Sequence, residues 1–201
     1  KALQYHSQSN IKEAEKIYQS LLNKGFYESR VLNNYGVICK QNNQIEKAIE
    51  LYKQSIDLYP KEPEAYSNLG NIFSKLGKLE EAELFTREAI KLKPNFTEAL
   101  CTLGNILKEK GCLKEAKEVT EKCLEFKPNH ALAHSNLGNI YIELDQNKLA
   151  LFHQEKAIKI EPNLAQGYCS IGAIFMDLGK LKEAETYTRT AIQKNKSLAE
   201  A

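Results

Sequence analysis

The sequence predicts an all-α chain built from antiparallel helix pairs, and three features point there. A block of 34 residues recurs along the chain without insertion. Glycine holds the eighth position of every full copy and alanine the twentieth. Within each copy the apolar residues fall into two helical stripes, separated by a residue type that tolerates a left-handed turn.

The copies align by eye. Pro63-Glu64-Ala65-Tyr66-Ser67-Asn68-Leu69-Gly70-Asn71-Ile72 returns after 34 residues as Thr97-Glu98-Ala99-Leu100-Cys101-Thr102-Leu103-Gly104-Asn105-Ile106. It returns again as Ala131-Leu132-Ala133-His134-Ser135-Asn136-Leu137-Gly138-Asn139-Ile140. Full copies, here repeats 1 to 5, run 29–62, 63–96, 97–130, 131–164 and 165–198. Residues 1–28 match the later part of one more copy, and residues 199–201 open the next.

Each element has a physical reason. The first helix of a repeat carries its stripe at positions 4, 7, 8 and 11, as in Tyr66, Leu69, Gly70 and Phe73. The second carries another, such as Leu113, Ala116, Val119, Cys123 and Leu124. Between them stand Gly77, Gly111 and Gly179, with Asn43 and Asp145 in the other two repeats, all residues suited to a left-handed C-terminal turn. Pro60, Pro94, Pro128 and Pro162 then stop the second helix. A glycine inside a helix costs about 1 kcal/mol relative to alanine. Gly36, Gly70, Gly104, Gly138 and Gly172 therefore call for close backbone contact, a small residue on one helix facing a small residue on the other.

Composition excludes several classes of work. The charge of +2 arises from 28 basic and 26 acidic residues spread along the chain, which leaves no single-sign field for nucleic acid or anionic lipid. No run reaches the roughly 18 apolar residues of a membrane span, and Lys-Ala-Leu-Gln-Tyr-His at the start has no signal core. The five cysteines, 39, 101, 112, 123 and 169, form no C-x-x-C pair. On helical spacing Cys112 and Cys123 stand about 16 Å apart, beyond the roughly 7 Å of a disulfide. Free buried or half-buried thiols and a cytoplasmic location are expected, and the sequons at Asn95 and Asn195 are read as chance.

These residues resemble the tetratricopeptide repeat family, whose pattern has a large residue at position 4, Leu-Gly at 7 and 8, an aromatic at 11, alanine at 20 and 27 and proline at 32. Leu69-Gly70, Leu103-Gly104, Leu137-Gly138, Ala89, Ala157, Ala191 and the four prolines match. Departures are the absence of tryptophan, with Leu32, Tyr66, Leu100, His134 and Tyr168 at position 4, and Lys196 in place of the fifth proline. Position 24, usually aromatic, is Thr86, Thr120, Gln154 and Thr188. The resemblance implies a right-handed α-solenoid superhelix whose first helices line a concave groove. Both ends are expected to be unfinished and able to stack head to tail with another copy.

Under that geometry, positions 2, 5, 9 and 12 of each first helix face the groove, with 6 and 13 beside them. They carry Asn33, Asn34, Asn68, Asn71, Asn105, Asn136 and Asn139. A carboxamide offers both donor and acceptor, so a row of them suits the backbone of an extended peptide. The row resembles the asparagine ladders of O-linked N-acetylglucosamine transferases. Arg30, Lys40 and Lys108 add positive charge, with Lys75 nearby and Glu64, Glu98, Glu109, Glu143 and Asp177 opposing it. The chaperone-tail clamp of the family starts from lysine at position 5, where this chain has Asn33, Ser67, Cys101, Ser135 and Cys169.

The expected function is therefore a non-catalytic scaffold that binds a protein or peptide, with no cofactor, metal, nucleic acid or membrane partner. The alternative is the targeting arm of a larger glycosyltransferase, sulfotransferase or methyltransferase, as in related bacterial arrays. His130 and His134 have a chelating i, i+4 spacing, but His134 holds a packing position, and His6 and His153 look isolated. Cys101 and Cys169 lack a paired base.

Overall fold

The computed structural model describes residues 11–194; His6, the Asn195 sequon, Lys196 and residues 1–10 and 195–201 lie outside the described residues. Among the described residues there are eleven α-helices and no strand. In chain order they are α1 Ile11–Asn23, α2 Ser29–Gln41, α3 Ile45–Leu58, α4 Pro63–Lys75, α5 Leu79–Leu92, α6 Thr97–Glu109, α7 Leu113–Phe126, α8 Ala131–Glu143, α9 Asn147–Ile160, α10 Ala165–Asp177 and α11 Leu181–Lys194. The chain divides into two compact halves, Lys1–Ala99 and Leu100–Ala201. Within the first, α1 to α5 pack each on the next; within the second, α7 to α11 do the same, and α8 also touches α10.

The turns form where the residue types require. Gly77, Gly111 and Gly179 have φ of +70°, +76° and +71°, and Asn43 and Asp145 take 59° and 56°. At the far end of each pair, Tyr59, Lys93, Lys127 and Glu161 are thrown out of the helical region, with φ between −126° and −140°. Each precedes a proline, whose ring disfavours helical backbone in the residue before it. The following first helix is then tied back to the proline carbonyl. The Tyr66 and Tyr168 hydroxyls donate to the Pro60 and Pro162 carbonyls at 3.2 Å, and in repeat 4 His134 Nε2 takes the same place at 3.1 Å from Pro128 O.

The position-8 glycines are tight for a different reason from the one expected. What faces them is chiefly the side chain at position 24, not a small residue. A Cβ on Gly70 or Gly104 would collide with Thr86 or Thr120 Oγ1, and one on Gly36 would sit 2.6 Å from the Tyr52 ring. The position-20 alanine contributes through its carbonyl, 3.2 Å from a Cβ built on Gly70. The threonines are accommodated because their hydroxyls donate within their own helix, Thr86 to Ala82 O at 2.6 Å and Thr120 to Ala116 O at 2.7 Å.

The core is also broader than the stripe of positions 4, 7, 8 and 11. Ile38, Ile72, Ile106, Ile140 and Ile174, all at position 10, are buried, as are Ala65, Ala99 and Ala133 at position 3. Each isoleucine contributes about 1.5–3 kcal/mol by leaving water. First helices thus bury two faces, and apart from the buried Asn33 the amides lie on a half-buried strip.

Candidate functional site

In the N-terminal half the strip belongs to α2 and α4. Arg30 is exposed and Lys40 half-buried. Asn33 is buried; its Nδ2 donates to Ser29 Oγ at 3.2 Å, and its Oδ1 has no hydrogen-bond partner. Asn34 lies beside the Tyr18 hydroxyl. Asn68 and Asn71 are half-buried, and neither side chain bonds to any described residue. Burial and the approach of Lys75 hold the Lys40 ammonium below its usual range.

In the C-terminal half the strip belongs to α6, α8 and α10, and here the protein occupies much of its own amide chemistry. Asn105 Nδ2 donates to Glu109 Oε1 at 2.7 Å, one turn along the same helix. Asn136 Nδ2 donates to the Cys101 carbonyl at 3.1 Å, joining repeats 3 and 4. Asn139 Oδ1 accepts from Gln154 Nε2 at 2.7 Å and from Ser170 Oγ at 2.9 Å, joining repeats 4 and 5. Lys108 Nζ lies 3.5 Å from Glu143 Oε1.

The seven amides are therefore not one row of equivalent groups, as their spacing suggested. Asn68 and Asn71 keep both functions, Asn105 and Asn136 keep an acceptor, and Asn139 keeps its N–H donors. For Asn139 the cause is position 24. Gln154 is fully buried against Gly138, where its Nε2 meets both the Ser135 carbonyl and Asn139. A buried amide must find partners, and Asn139 is within reach. Nothing in the residue type at position 9 signals this; the one clue was a glutamine at a position the family fills with an aromatic ring.

The histidines pair across helices and not along one. His130 caps α8, its Nδ1 accepting from Ala133 N at 3.3 Å. His134 Nδ1 stands 3.0 Å from His153 Nδ1, so His153 is not isolated. Its ring takes the place of an aromatic, stacked 5.5 Å from Tyr141 as Phe85 is on Phe73. Because His134 Nε2 donates to Pro128 O, its Nδ1 is the acceptor and His153 Nδ1 carries the proton. Burial, with His134 and Lys156 beside it, pushes His153 down to about 4. Among the described residues no group of three or more histidine, cysteine or acidic side chains could hold a metal ion.

Cys39, Cys101 and Cys123 are buried and Cys169 half-buried, but Cys112 is exposed, because it precedes α7 in the turn opened by Gly111. Burial raises the Cys39 thiol above its usual range. Open clefts of about 550 and 430 Å³ beside Tyr35 and Lys47 hold none of the strip residues. No helix among the described residues is long and apolar enough to cross a membrane.

Comparison with known proteins bears on the fold. The family described as "TPR repeat" matches residues 36–77, and "Tetratricopeptide repeat" families match 63–96, 97–130, 131–164 and 165–196. No curated protein sequence matches the chain. Among solved structures, TTC0263, a thermophilic TPR protein of Thermus thermophilus, aligns with a TM-score of 0.72 and 19% identity, over 83% of this chain and 91% of that one. YrrB, a TPR protein with an unusual peptide-binding site, gives 0.63 and 17%, over 89% and 92%. The APC/C hetero-tetramer Cut9–Hcn1 gives 0.88 and 17%, over 96% of this chain and 38% of that one. At these identities the likeness is one of fold.

Proposed function

We propose, for a chain that belongs to the tetratricopeptide repeat family, that the first-helix strip of each half binds an extended segment of another protein. The observation that carries this is the state of Asn68 and Asn71. Two half-buried carboxamides sit three residues apart on one helix, with no partner among the described residues. A polar group held partly out of water with its capacity unspent is poised for a backbone N–H or carbonyl from outside. YrrB, of the same fold, carries a peptide-binding site.

Each such hydrogen bond contributes a net of about 0.5–1.5 kcal/mol, and association costs offset part of it. Binding is therefore weak and tolerant of side-chain sequence. The protein is read as cytoplasmic, on its free thiols, as non-catalytic in this segment, and as no binder of nucleic acid, since its charge of +2 is evenly spread.

The test pans a random 12-residue phage-displayed library against the chain. Enriched peptides should lose affinity on Asn68→Ala and Asn71→Ala while helicity stays constant. Unchanged affinity would remove the amides from the site. A second reading, in which the strip presents substrates to a linked glycosyltransferase, sulfotransferase or methyltransferase, rests on the likeness of the asparagine series to O-linked N-acetylglucosamine transferases. The full gene product decides it.

A further inference from the structure

The repeat register brings position 12 of one first helix beside position 13 of the next. In repeats 3 and 4 this sets Lys108 3.5 Å from Glu143, an ion pair between residues 35 apart in sequence. In repeats 1 and 2 the same register puts half-buried Lys40 and exposed Lys75 at the equivalent two positions; burial first, and Lys75 second, lower the Lys40 ammonium. Neither ammonium makes a hydrogen bond or ion pair with any described residue. The C-terminal end of a helix favours a cation, and both lysines lie in the last turn of their helix. That accounts for each lysine singly, but not for two like charges in register. No carboxylate of α2 or α4 can relieve them: α2 has none, and Glu64 of α4 is near its opposite end. Asn71 stands one turn before Lys75 on the same helix, and its carboxamide has no partner among the described residues.

We propose that Lys40, Lys75 and Asn71 form an anion seat, which takes the carboxylate of an acidic residue in the bound peptide. The chain displays the complementary arrangement in its other half, where its own Glu143 supplies the carboxylate to Lys108. In the N-terminal half the lysine at that place transfers the role to a partner. Lys40, half-buried between the helices, gains most, since an anion offsets both its lost hydration and the neighbouring charge.

The inference rests on the peptide-binding reading above, and one experiment separates the two. Phage-displayed random 12-residue peptides are enriched on the wild-type chain, then labelled and measured by fluorescence anisotropy at low and high salt. Enriched sequences should be rich in Asp and Glu and should bind more weakly as salt screens the pair. Lys75→Glu restores an internal partner for Lys40 and should weaken them about tenfold. Lys75→Gln should weaken them less, with circular dichroism unchanged for both. Enriched peptides with no excess of acidic residues, or affinity indifferent to Lys75→Glu, would overturn the seat while leaving peptide binding in place. No enrichment at all would overturn both.

Discussion

Consider Gly104→Ala. On an isolated helix the change is favourable by about 1 kcal/mol. Here the new Cβ collides with Thr120 Oγ1, and that hydroxyl is held by its bond to Ala116 O at 2.7 Å. The clash can persist, at the roughly 1–3 kcal/mol typical of overpacking. Alternatively Thr120, which is fully buried, rotates away and strands its hydroxyl at a cost of about 1–3 kcal/mol. Either way the loss exceeds the propensity gain, and a net destabilisation of about 1 kcal/mol follows. The sign should invert once Thr120 is also alanine. The remaining neighbours of the added Cβ are then the residue-120 Cβ at 3.4 Å and Ala116 O at 3.5 Å, ordinary van der Waals contacts. Gly104→Ala in the Thr120→Ala background should therefore be neutral or stabilising. The assay is urea unfolding followed at 222 nm, with midpoints compared across the four proteins. Stacked repeats unfold by local units, so hydrogen exchange at the Leu103 and Thr120 amides localises the effect. A higher midpoint for Gly104→Ala in the wild-type background would refute the packing account.

Three further outcomes are expected. His153 is neutral in the fold with its imidazole held down to about 4, while in the unfolded chain it sits near 6.5. Stability should therefore fall as pH drops from about 6.5 toward 4, because the unfolded state takes up the proton first. The loss is about 1–2 kcal/mol after allowance for solvent at the partly exposed ring; His153→Phe should flatten this slope in acid-unfolding curves. Asn139→Ala should cost about 1–2 kcal/mol in urea, since it removes one of the two acceptors of the buried Gln154 carboxamide and the acceptor of Ser170, whereas Asn71→Ala should leave stability within about 0.5 kcal/mol. Under native conditions a thiol reagent should label Cys112 first and Cys169 more slowly, with Cys39, Cys101 and Cys123 reacting only on unfolding; prompt labelling of Cys123 would contradict the burial.

What the sequence made legible was whatever repeats. The turn residues, the proline stops and the apolar positions recur every 34 residues, and each acts through its own backbone or its own burial. The structure follows them at Gly77, Asn43 and Asp145 and in the non-helical residue ahead of Pro60, Pro94, Pro128 and Pro162. What escaped was relational. That Gly104 meets the Thr120 side chain ahead of Ala116 depends on how two helices rotate against each other. That Asn139 spends its oxygen inside the protein depends on a glutamine on the next helix. That His134 meets His153 and not His130 depends on a register between helices. A residue type states which atoms can donate or accept; only the packed neighbours decide which of them remain available. The isoleucines at position 10 were a signal in plain sight, since one occurs in every repeat.

The most direct measurement of the central claim labels asparagine side chains with ¹⁵N and follows their carboxamide resonances as a library-selected peptide is added. The account predicts that Asn68 and Asn71 move in proportion to binding, while the exposed Asn23 and Asn163, away from the first-helix strip, stay in place. Saturable binding with Asn68 and Asn71 unmoved would contradict it.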